Sequence, residues 1–227
     1  MIPLKPDSTR LAGVYLLTPD ADSTGFARVM DIVAQALDAG VRVIQYREKT
    51  AQFTVQFERT RRLLELTRQA GALLIANDSV DLAAKSNADG VHIGRADGDV
   101  AGARRLLIRH LIGVSCYDDL DCAQRAVSDG ADAVAFGSMF VSATKPSAVR
   151  APLSLLSKAR SLWPQERVIA IGGINTSNIG TVAKSGAHAA AVLDSVFGAD
   201  NPAEAARELV RRFEEGKQQY DEQRRTV

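Results

Sequence analysis

Short apolar runs rich in Val, Ile and Leu alternate along the chain with longer stretches of different spacing. The short runs are typical of buried strands, and in the longer stretches apolar residues recur at the three- and four-residue steps of a helix. The pattern predicts strands at Val14–Thr18, Val41–Arg47, Leu73–Asn77, Gly90–Ile93, Ile112–Ser115, Ala133–Gly137, Val168–Ile171 and Ala189–Leu193. It predicts helices that include Phe26–Ala39, Phe53–Ala70, Leu120–Ser128, Leu153–Leu162, Ile179–Lys184 and Ala203–Phe213.

Alternating strands and helices imply right-handed crossovers and a parallel sheet. The strand–helix unit repeats along 227 residues, which predicts the α/β class and a (β/α)8 TIM barrel in a single domain. Glycines at junctions such as Ala39-Gly40-Val41 can end a helix in the left-handed conformation before the next strand. We expect the barrel over about residues 11–215 and a polar tail over 216–227, in which Lys217–Val227 forms a frayed helix end.

Composition narrows the classes of partner. The chain has 28 basic and 27 acidic residues and a net charge of +1, which argues against nucleic acid or an anionic membrane as the main partner. No apolar run approaches the roughly 20 residues of a membrane span, and the start lacks a secretory signal. Cys116 and Cys122 form no Cys-x-x-Cys pair, which fits a reducing compartment. We therefore expect a cytoplasmic protein with small-molecule partners, and the sequence leaves its oligomeric state open.

Charged and polar residues follow several predicted strands. They occur in Gln45–Lys49, Asn77-Asp78, Gly94–Asp97 and Ala143–Pro146. A parallel barrel gathers the carboxyl ends of its strands at one mouth, so residues far apart in sequence can share a site there. Two acids for a cation and three bases for a polyanion suggest an enzyme that handles a magnesium diphosphate.

Gln45, Arg47 and Lys49 occupy alternate positions at the end of the second predicted strand. The two-residue period of a strand sends all three side chains to the same face. An inward ladder of this kind is costly unless it meets an anion. The alternative is that the segment runs past the rim of the barrel and its charges lie in water.

Asn77-Asp78 and Asp97 follow the third and fourth strands, which puts one carboxylate after each of two successive strands. Mg²⁺ prefers one or two carboxylates, with phosphate and water completing its octahedron. Alternatively, Asn77-Asp78 caps the next helix and Asp97 belongs to an ordinary turn. The loop after the sixth strand offers Ser142, Thr144 and Lys145 to an anion, although a solvent-exposed loop has a similar composition.

Gly172-Gly173 follows the seventh strand, where barrels often bind a phosphate through backbone N–H groups. Histidine, in contrast, is poorly placed for acid–base chemistry. His110 and His188 precede strands and belong to the opposite face of the barrel, and His92 lies within a strand as an expected core residue. The reaction should therefore be one that a metal and cationic side chains promote by stabilising a leaving anion.

Taken in order, these motifs closely resemble the thiamine-phosphate synthase family. The resemblance covers nearly the whole chain. It rests on Val14–Thr18, Ile44–Lys49, Leu74–Asp78, Asp89–Gly94, Ile112–Ser115, Phe136-Gly137, Ala143–Pro146, Ala170–Ile174 and Ala191–Leu193. It implies a barrel enzyme that couples 4-amino-5-hydroxymethyl-2-methylpyrimidine diphosphate with hydroxyethylthiazole phosphate, giving thiamine phosphate and inorganic diphosphate.

The resemblance also implies a role for individual residues. Those that would hold the pyrimidine diphosphate are Gln45, Arg47, Lys49, Asn77 and Lys145, with Ser115 on the pyrimidine ring. Asp78 and Asp97 would hold the Mg²⁺ cofactor. The thiazole phosphate side would be formed by Ser142, Thr144, Gly173 and the turn at Asp194 and Ser195. Arg47, Lys49, Lys145 and Ser115 would take part in catalysis.

Some positions depart from the usual family pattern. Arg95 and Ala96 replace the usual Gln-Glu before Asp97, and the loop before Lys145 lacks a proline. Asp194 stands where a serine is expected, and its carboxylate would repel a phosphate unless backbone amides make the contacts.

Two alternatives remain open. A related thiazole tautomerase shares the barrel, but it resembles this chain less because it carries a histidine at the position of Ser138. A barrel that binds thiamine intermediates without catalysis should have lost Asp78, Asp97 or Lys145, and all three are present.

Overall fold

The computed structural model describes residues 7–94, 99–141 and 149–225. Eight parallel strands, each paired with its neighbours in sequence order and the last with the first, form a closed barrel. The strands are β1 (Gly13–Leu17), β2 (Val43–Tyr46), β3 (Leu73–Asn77), β4 (Gly90–Ile93), β5 (Leu111–Tyr117), β6 (Ala133–Phe136), β7 (Arg167–Ile171) and β8 (Ala189–Val192). The predicted (β/α)8 class is confirmed.

Helices surround the barrel: the first seven connect successive strands, and the last two follow β8. They are α1 (Gly25–Asp38), α2 (Phe53–Gln69), α3 (Val80–Ser86), α4 (Val100–Leu106), α5 (Leu120–Ser128), α6 (Ser154–Leu162), α7 (Ile179–Lys184), α8 (Asp194–Phe197) and α9 (Pro202–Arg225). In the part of the chain that the structure describes, no helix is both long enough and apolar enough to cross a membrane.

Two separate apolar clusters stabilise the fold. The larger lies between the strands and the helices, and the smaller fills the inside of the barrel with residues such as Tyr15, Val43, Ile75 and Ile169. In every strand except β4, which contributes only to the larger cluster, alternate residues enter different clusters, as the strand period requires.

The carboxyl-terminal segment differs from the expected frayed end. Residues 217–225 continue α9, and Tyr220 is buried at 7% exposure. The guanidinium of Arg160 lies 4.4 Å from the centre of the Tyr220 ring, and Arg160 also pairs with Asp221 at 3.8 Å. The prediction failed because these contacts come from α6, which a polar sequence pattern read along α9 alone cannot reveal.

Candidate active site

The inner surface of the barrel becomes polar near the carboxyl ends of strands β2 to β5. At three of these polar positions both neighbours belong to the cluster under the helices, and at the end of β3 the preceding Ala76 does, so the polar side chains face inward. Asn77 is paired in register with His92, which brings the ends of β3 and β4 together. The four inward polar residues are Gln45, Asn77, His92 and Ser115.

Gln45 lies in this inward layer, as predicted. It is buried at 4% exposure, and its Nε2 donates a hydrogen bond to the Tyr15 hydroxyl at 2.9 Å. Burial raises the pKa of Tyr15, so the phenol stays neutral. The amide of Gln45 is thereby fixed at the bottom of the mouth.

Arg47 and Lys49 reach the mouth in a different way from the one predicted. Strand β2 ends at Tyr46, because the buried Thr18 hydroxyl accepts from Arg47 N at 3.0 Å and donates to its carbonyl oxygen at 3.2 Å. The strand period therefore does not extend to Arg47 and Lys49. The predicted strand end at Arg47, and the ladder built on it, are wrong: both cations lie in the loop after β2.

Asp20, in the loop after β1, fixes that cationic loop. Its Oδ2 accepts from Arg47 Nη1 at 2.8 Å, and its Oδ1 accepts from the backbone N–H of Lys49 at 2.7 Å. One carboxylate thus holds the side chain of one cation and the backbone of the next. Asp20 therefore balances the charge of Arg47 locally.

Asp78 lies opposite this loop. Its Oδ2 is 3.3 Å from Lys49 Nζ and accepts from Asn77 Nδ2 at 2.6 Å. Its backbone has φ of 61°, a left-handed conformation that costs about 1–3 kcal/mol and that Asp tolerates better than most residues. The cap of α3 is Ser79, whose Oγ accepts from Leu82 N at 3.1 Å. Asn77 and Asp78 are therefore not the helix cap.

His92 and Ser115 form a polar pair inside the mouth, with His92 Nε2 at 2.9 Å from Ser115 Oγ. Burial lowers the pKa of His92 to about 4, against a smaller opposite effect of Asp78. The expected burial of His92 is confirmed, at 8% exposure, but its partner is a candidate site residue.

The other two histidines lie at the opposite end of the barrel. His188 immediately precedes β8, and its Nδ1 accepts from Val168 N at 2.9 Å. His110 immediately precedes β5. Both positions agree with the expectation that these residues belong to the face of the barrel opposite the mouth.

Gly172 and Gly173, in the loop after β7, have φ of 100° and 63°. A Cβ on Gly173 would lie 2.9 Å from the carbonyl carbon of Phe140 and would overlap the Val141 carbonyl oxygen. This glycine therefore lets the loops after β6 and β7 approach each other. Phe140 N, for example, donates to Gly172 O at 3.0 Å.

The turn after β8 carries the two remaining candidates. Asp194 is exposed in the first turn of α8. Ser195 Oγ is buried, and no hydrogen-bond partner for it is found among the described residues. Five positions of interest lie outside the described residues: Arg95, Asp97, Ser142, Thr144 and Lys145. Over residues 7–94, 99–141 and 149–225, no group of three or more His, Cys, Asp or Glu side chains could hold a metal.

Sequence reasoning missed four residues that organise the mouth: Thr18, Asp20, Glu48 and Arg59. Thr18 and Asp20 directly follow β1, so the rule that site residues follow barrel strands could have found them. Glu48 belongs to the predicted segment Gln45–Lys49, but its side chain is buried. Arg59 lies on a helix, and no signal in the sequence singles it out.

Comparison with known proteins agrees with this geometry. A sequence profile described as thiamine monophosphate synthase matches residues 14–196. The chain is 47% identical to a thiamine-phosphate synthase of Halorhodospira halophila, over 91% of this chain and 96% of that protein. It is 45% identical to one of Chromobacterium violaceum, over 88% and 95% of the two chains.

A solved structure gives the same result. The thiamine phosphate pyrophosphorylase of Pyrococcus furiosus superposes with a TM-score of 0.82 and 32% identity, over 92% of this chain and 98% of that one. The resemblance inferred from the sequence motifs is confirmed. The chain belongs to the thiamine monophosphate synthase family.

Proposed function

We propose that this barrel joins 4-amino-5-hydroxymethyl-2-methylpyrimidine diphosphate to hydroxyethylthiazole phosphate and releases inorganic diphosphate. The family relationship makes the chain a transferase of thiamine biosynthesis. One observation carries the assignment of the site. Lys49 Nζ lies 3.3 Å from Asp78 Oδ2, which brings a cation from the loop after β2 against a carboxylate from the end of β3.

The diphosphate would occupy the space between these two loops. Arg47 and Lys49 now pair with Asp20 and Asp78, and an incoming anion would exchange those carboxylates for phosphate oxygens. Lys145, Asn77 and Gln45 complete this proposed subsite. Charge-assisted hydrogen bonds of this kind are stronger than neutral ones and neutralise the charge on a leaving group.

Asp78 suits a role as a ligand of Mg²⁺. Its carboxylate lies at the mouth beside Lys49, the lysine proposed to bind the diphosphate. Mg²⁺ prefers oxygen ligands of this kind. We assign Asp97 as the second ligand on the family pattern. When bound, Mg²⁺ would neutralise negative charge on the diphosphate. The carboxylate of Asp78 would then be released from Lys49, whose charge becomes available to the same diphosphate.

Ser115, in the inward polar layer, would bind the pyrimidine ring, next to the diphosphate ligands Gln45 and Asn77 of the same layer. Ser115 Oγ is held by His92, and Gln45 is held by Tyr15, so both polar groups have fixed positions before the substrate arrives. The thiazole phosphate would lie on the other side, against Gly173, Ser142 and Thr144 and the turn at Asp194 and Ser195. Because Asp194 carries negative charge, backbone amides of that turn are the contacts we propose for the phosphate.

The chemistry needs no general base. The bond between the pyrimidine methylene carbon and the diphosphate oxygen breaks, and the electron pair leaves with the diphosphate. The lone pair of the thiazole nitrogen then forms the new bond to that carbon. The nitrogen becomes quaternary without losing a proton. A neutral, buried His92 is consistent with this reaction, because no proton has to be removed.

A direct assay tests the proposal. Purified protein, both substrates and Mg²⁺ should yield thiamine phosphate and inorganic diphosphate in equal amounts, and a chelator in excess should abolish both. A thiazole tautomerase would release no diphosphate, and a barrel that only binds intermediates would form neither product. Absence of turnover with correctly folded protein would contradict the proposal. Mg²⁺ dependence, small-molecule substrates and a cytoplasmic location are parts of the same proposal.

A further inference from the structure

Glu48 stands between the two proposed diphosphate cations in sequence, yet its side chain is only 1% exposed. Its Oε2 accepts from Arg59 Nη1 at 2.9 Å and from Ala21 N at 3.1 Å. Its Oε1 accepts from Thr50 N, Thr50 Oγ1 and Ala51 N at 2.9, 2.7 and 3.2 Å. Although burial opposes ionisation, these hydrogen bonds lower the pKa of Glu48 below its ordinary value. The carboxylate is therefore charged, buried and fully hydrogen-bonded.

Arg59 links this carboxylate to a rigid element. It lies on α2, its side chain is 9% exposed, and its Nη1 also donates to Ala21 O at 2.7 Å. The guanidinium carbon lies 4.9 Å from the centre of the Phe26 ring on α1. One side chain thus contacts the loop after β1, the loop after β2 and helix α1.

The residues held in this way adjoin the cations. Ala21 follows Asp20, which binds the Arg47 side chain and the Lys49 backbone. Glu48 lies between Arg47 and Lys49 and faces away from them into the protein. Holding Ala21 in place therefore positions Asp20, and holding Glu48 in place positions the two cations that Asp20 contacts.

We propose that Arg59 is a positioning residue for the diphosphate subsite, acting through Glu48 and Ala21. This inference rests on the proposed function, since that function gives Arg47 and Lys49 a diphosphate to bind. A role confined to folding would affect the affinities for both substrates alike. A positioning role predicts a lower affinity for the pyrimidine diphosphate only.

The test uses the full-length protein and inorganic diphosphate with Mg²⁺ as the probe. The double variant Glu48→Gln/Arg59→Met removes both buried charges together, which avoids leaving one unpaired. The matched control is Arg62→Met, since Arg62 is exposed on the same helix and lies 5.3 Å from the same Phe26 ring. Arg59→Lys, which keeps the charge but loses the planar guanidinium over the Phe26 ring, serves if the double variant does not fold.

We expect the double variant to bind Mg²⁺-diphosphate at least about tenfold more weakly, the scale of lost hydrogen bonds to charged groups. The KM for the pyrimidine diphosphate should rise in parallel, while the KM for the thiazole phosphate and all values for Arg62→Met stay within about twofold of the parent. Adding Arg47→Ala to the double variant should then weaken diphosphate binding by less than Arg47→Ala does in the parent, because both changes disturb the same contact.

Two results would overturn the inference. One is unchanged diphosphate binding in a folded double variant, or in Arg59→Lys, while Arg47→Ala alone weakens it. The other is an equal rise of both KM values together with a lower Tm, which would reduce Arg59 to a folding role. If Arg47→Ala also leaves diphosphate binding unchanged, the proposed diphosphate subsite itself has failed.

Discussion

His92 Nε2 and Ser115 Oγ, on neighbouring strands β4 and β5, are 2.9 Å apart inside the barrel mouth. His92 Nδ1 is buried, and no hydrogen-bond partner for it is found in the described part of the chain. A neutral imidazole has one N–H donor and one acceptor nitrogen, and its charged form has two donors. Charging His92 would therefore bury a second N–H without a described acceptor, which agrees with its low pKa of about 4.

This relationship makes a prediction about pH. Because His92 stays neutral above about pH 4, the single-turnover coupling rate should show no inflection from this residue between pH 5.5 and 8. His92→Gln can still place an amide nitrogen near Ser115, and its pH profile should follow the parent profile with less than about a tenfold loss in rate. An inflection near pH 6.5 that the variant removes would identify His92 as an acid–base group.

The carboxylate of Asp78 should set the Mg²⁺ requirement. Asp78→Asn keeps the size of the side chain and tolerates the left-handed φ of 61°, so it tests charge alone. We expect the Mg²⁺ concentration for half-maximal turnover to rise by about tenfold or more. The control is Asp81→Asn, because Asp81 is an exposed carboxylate that pairs with Lys85 on α3. Equal metal requirements for Asp78→Asn and the parent would remove Asp78 from the metal site.

Gly173 and Gly71 form a matched pair, since both have φ of 63°. A Cβ on Gly71 would have no heavy atom within 4 Å, whereas one on Gly173 would meet the loop after β6. Gly71→Ala should therefore cost only the left-handed strain, about 1–2 kcal/mol. Gly173→Ala should lower the free energy of unfolding, measured in urea, by more than Gly71→Ala does. It should also raise the KM for the thiazole phosphate. Equal losses of stability would show that the loop moves aside without cost.

Stability should decline in mild acid because of His188. Burial and nearby Arg167 lower its pKa to about 3, from an ordinary value of 6.5. The unfolded chain therefore binds a proton first, so stabilisation is complete above about pH 6.5 and is lost as the pH falls toward 3. The loss should reach about 1.4 kcal/mol per pH unit for this one residue.

The control is His188→Asn, whose amide oxygen can still accept from Val168 N but does not titrate. Urea unfolding at pH 7.5, 6 and 5 should give a shallower pH dependence for the variant than for the parent. Parallel slopes would mean that His188 takes up its proton equally in the folded and unfolded chains.

The sequence by itself determined the barrel and the place of its mouth. Apolar runs at Leu73–Asn77 and Gly90–Ile93 have the composition and length of buried strands, and the structure has both with these limits. The inward direction of Gln45 also follows from the sequence, because Val43 and Gln45 are two positions apart in one strand. These are local properties, and a period along the chain is enough to predict them.

Only the tertiary structure decided how the cations are held. The Thr18 hydroxyl ends β2 before Arg47, and Asp20 crosses from another loop to bind Arg47 and Lys49. Arg59 meets Glu48 from a helix. In each case the partner comes from a different element, so its identity depends on how the chain closes in three dimensions. Tyr220 shows the same limit, since the guanidinium over its ring belongs to Arg160 on α6.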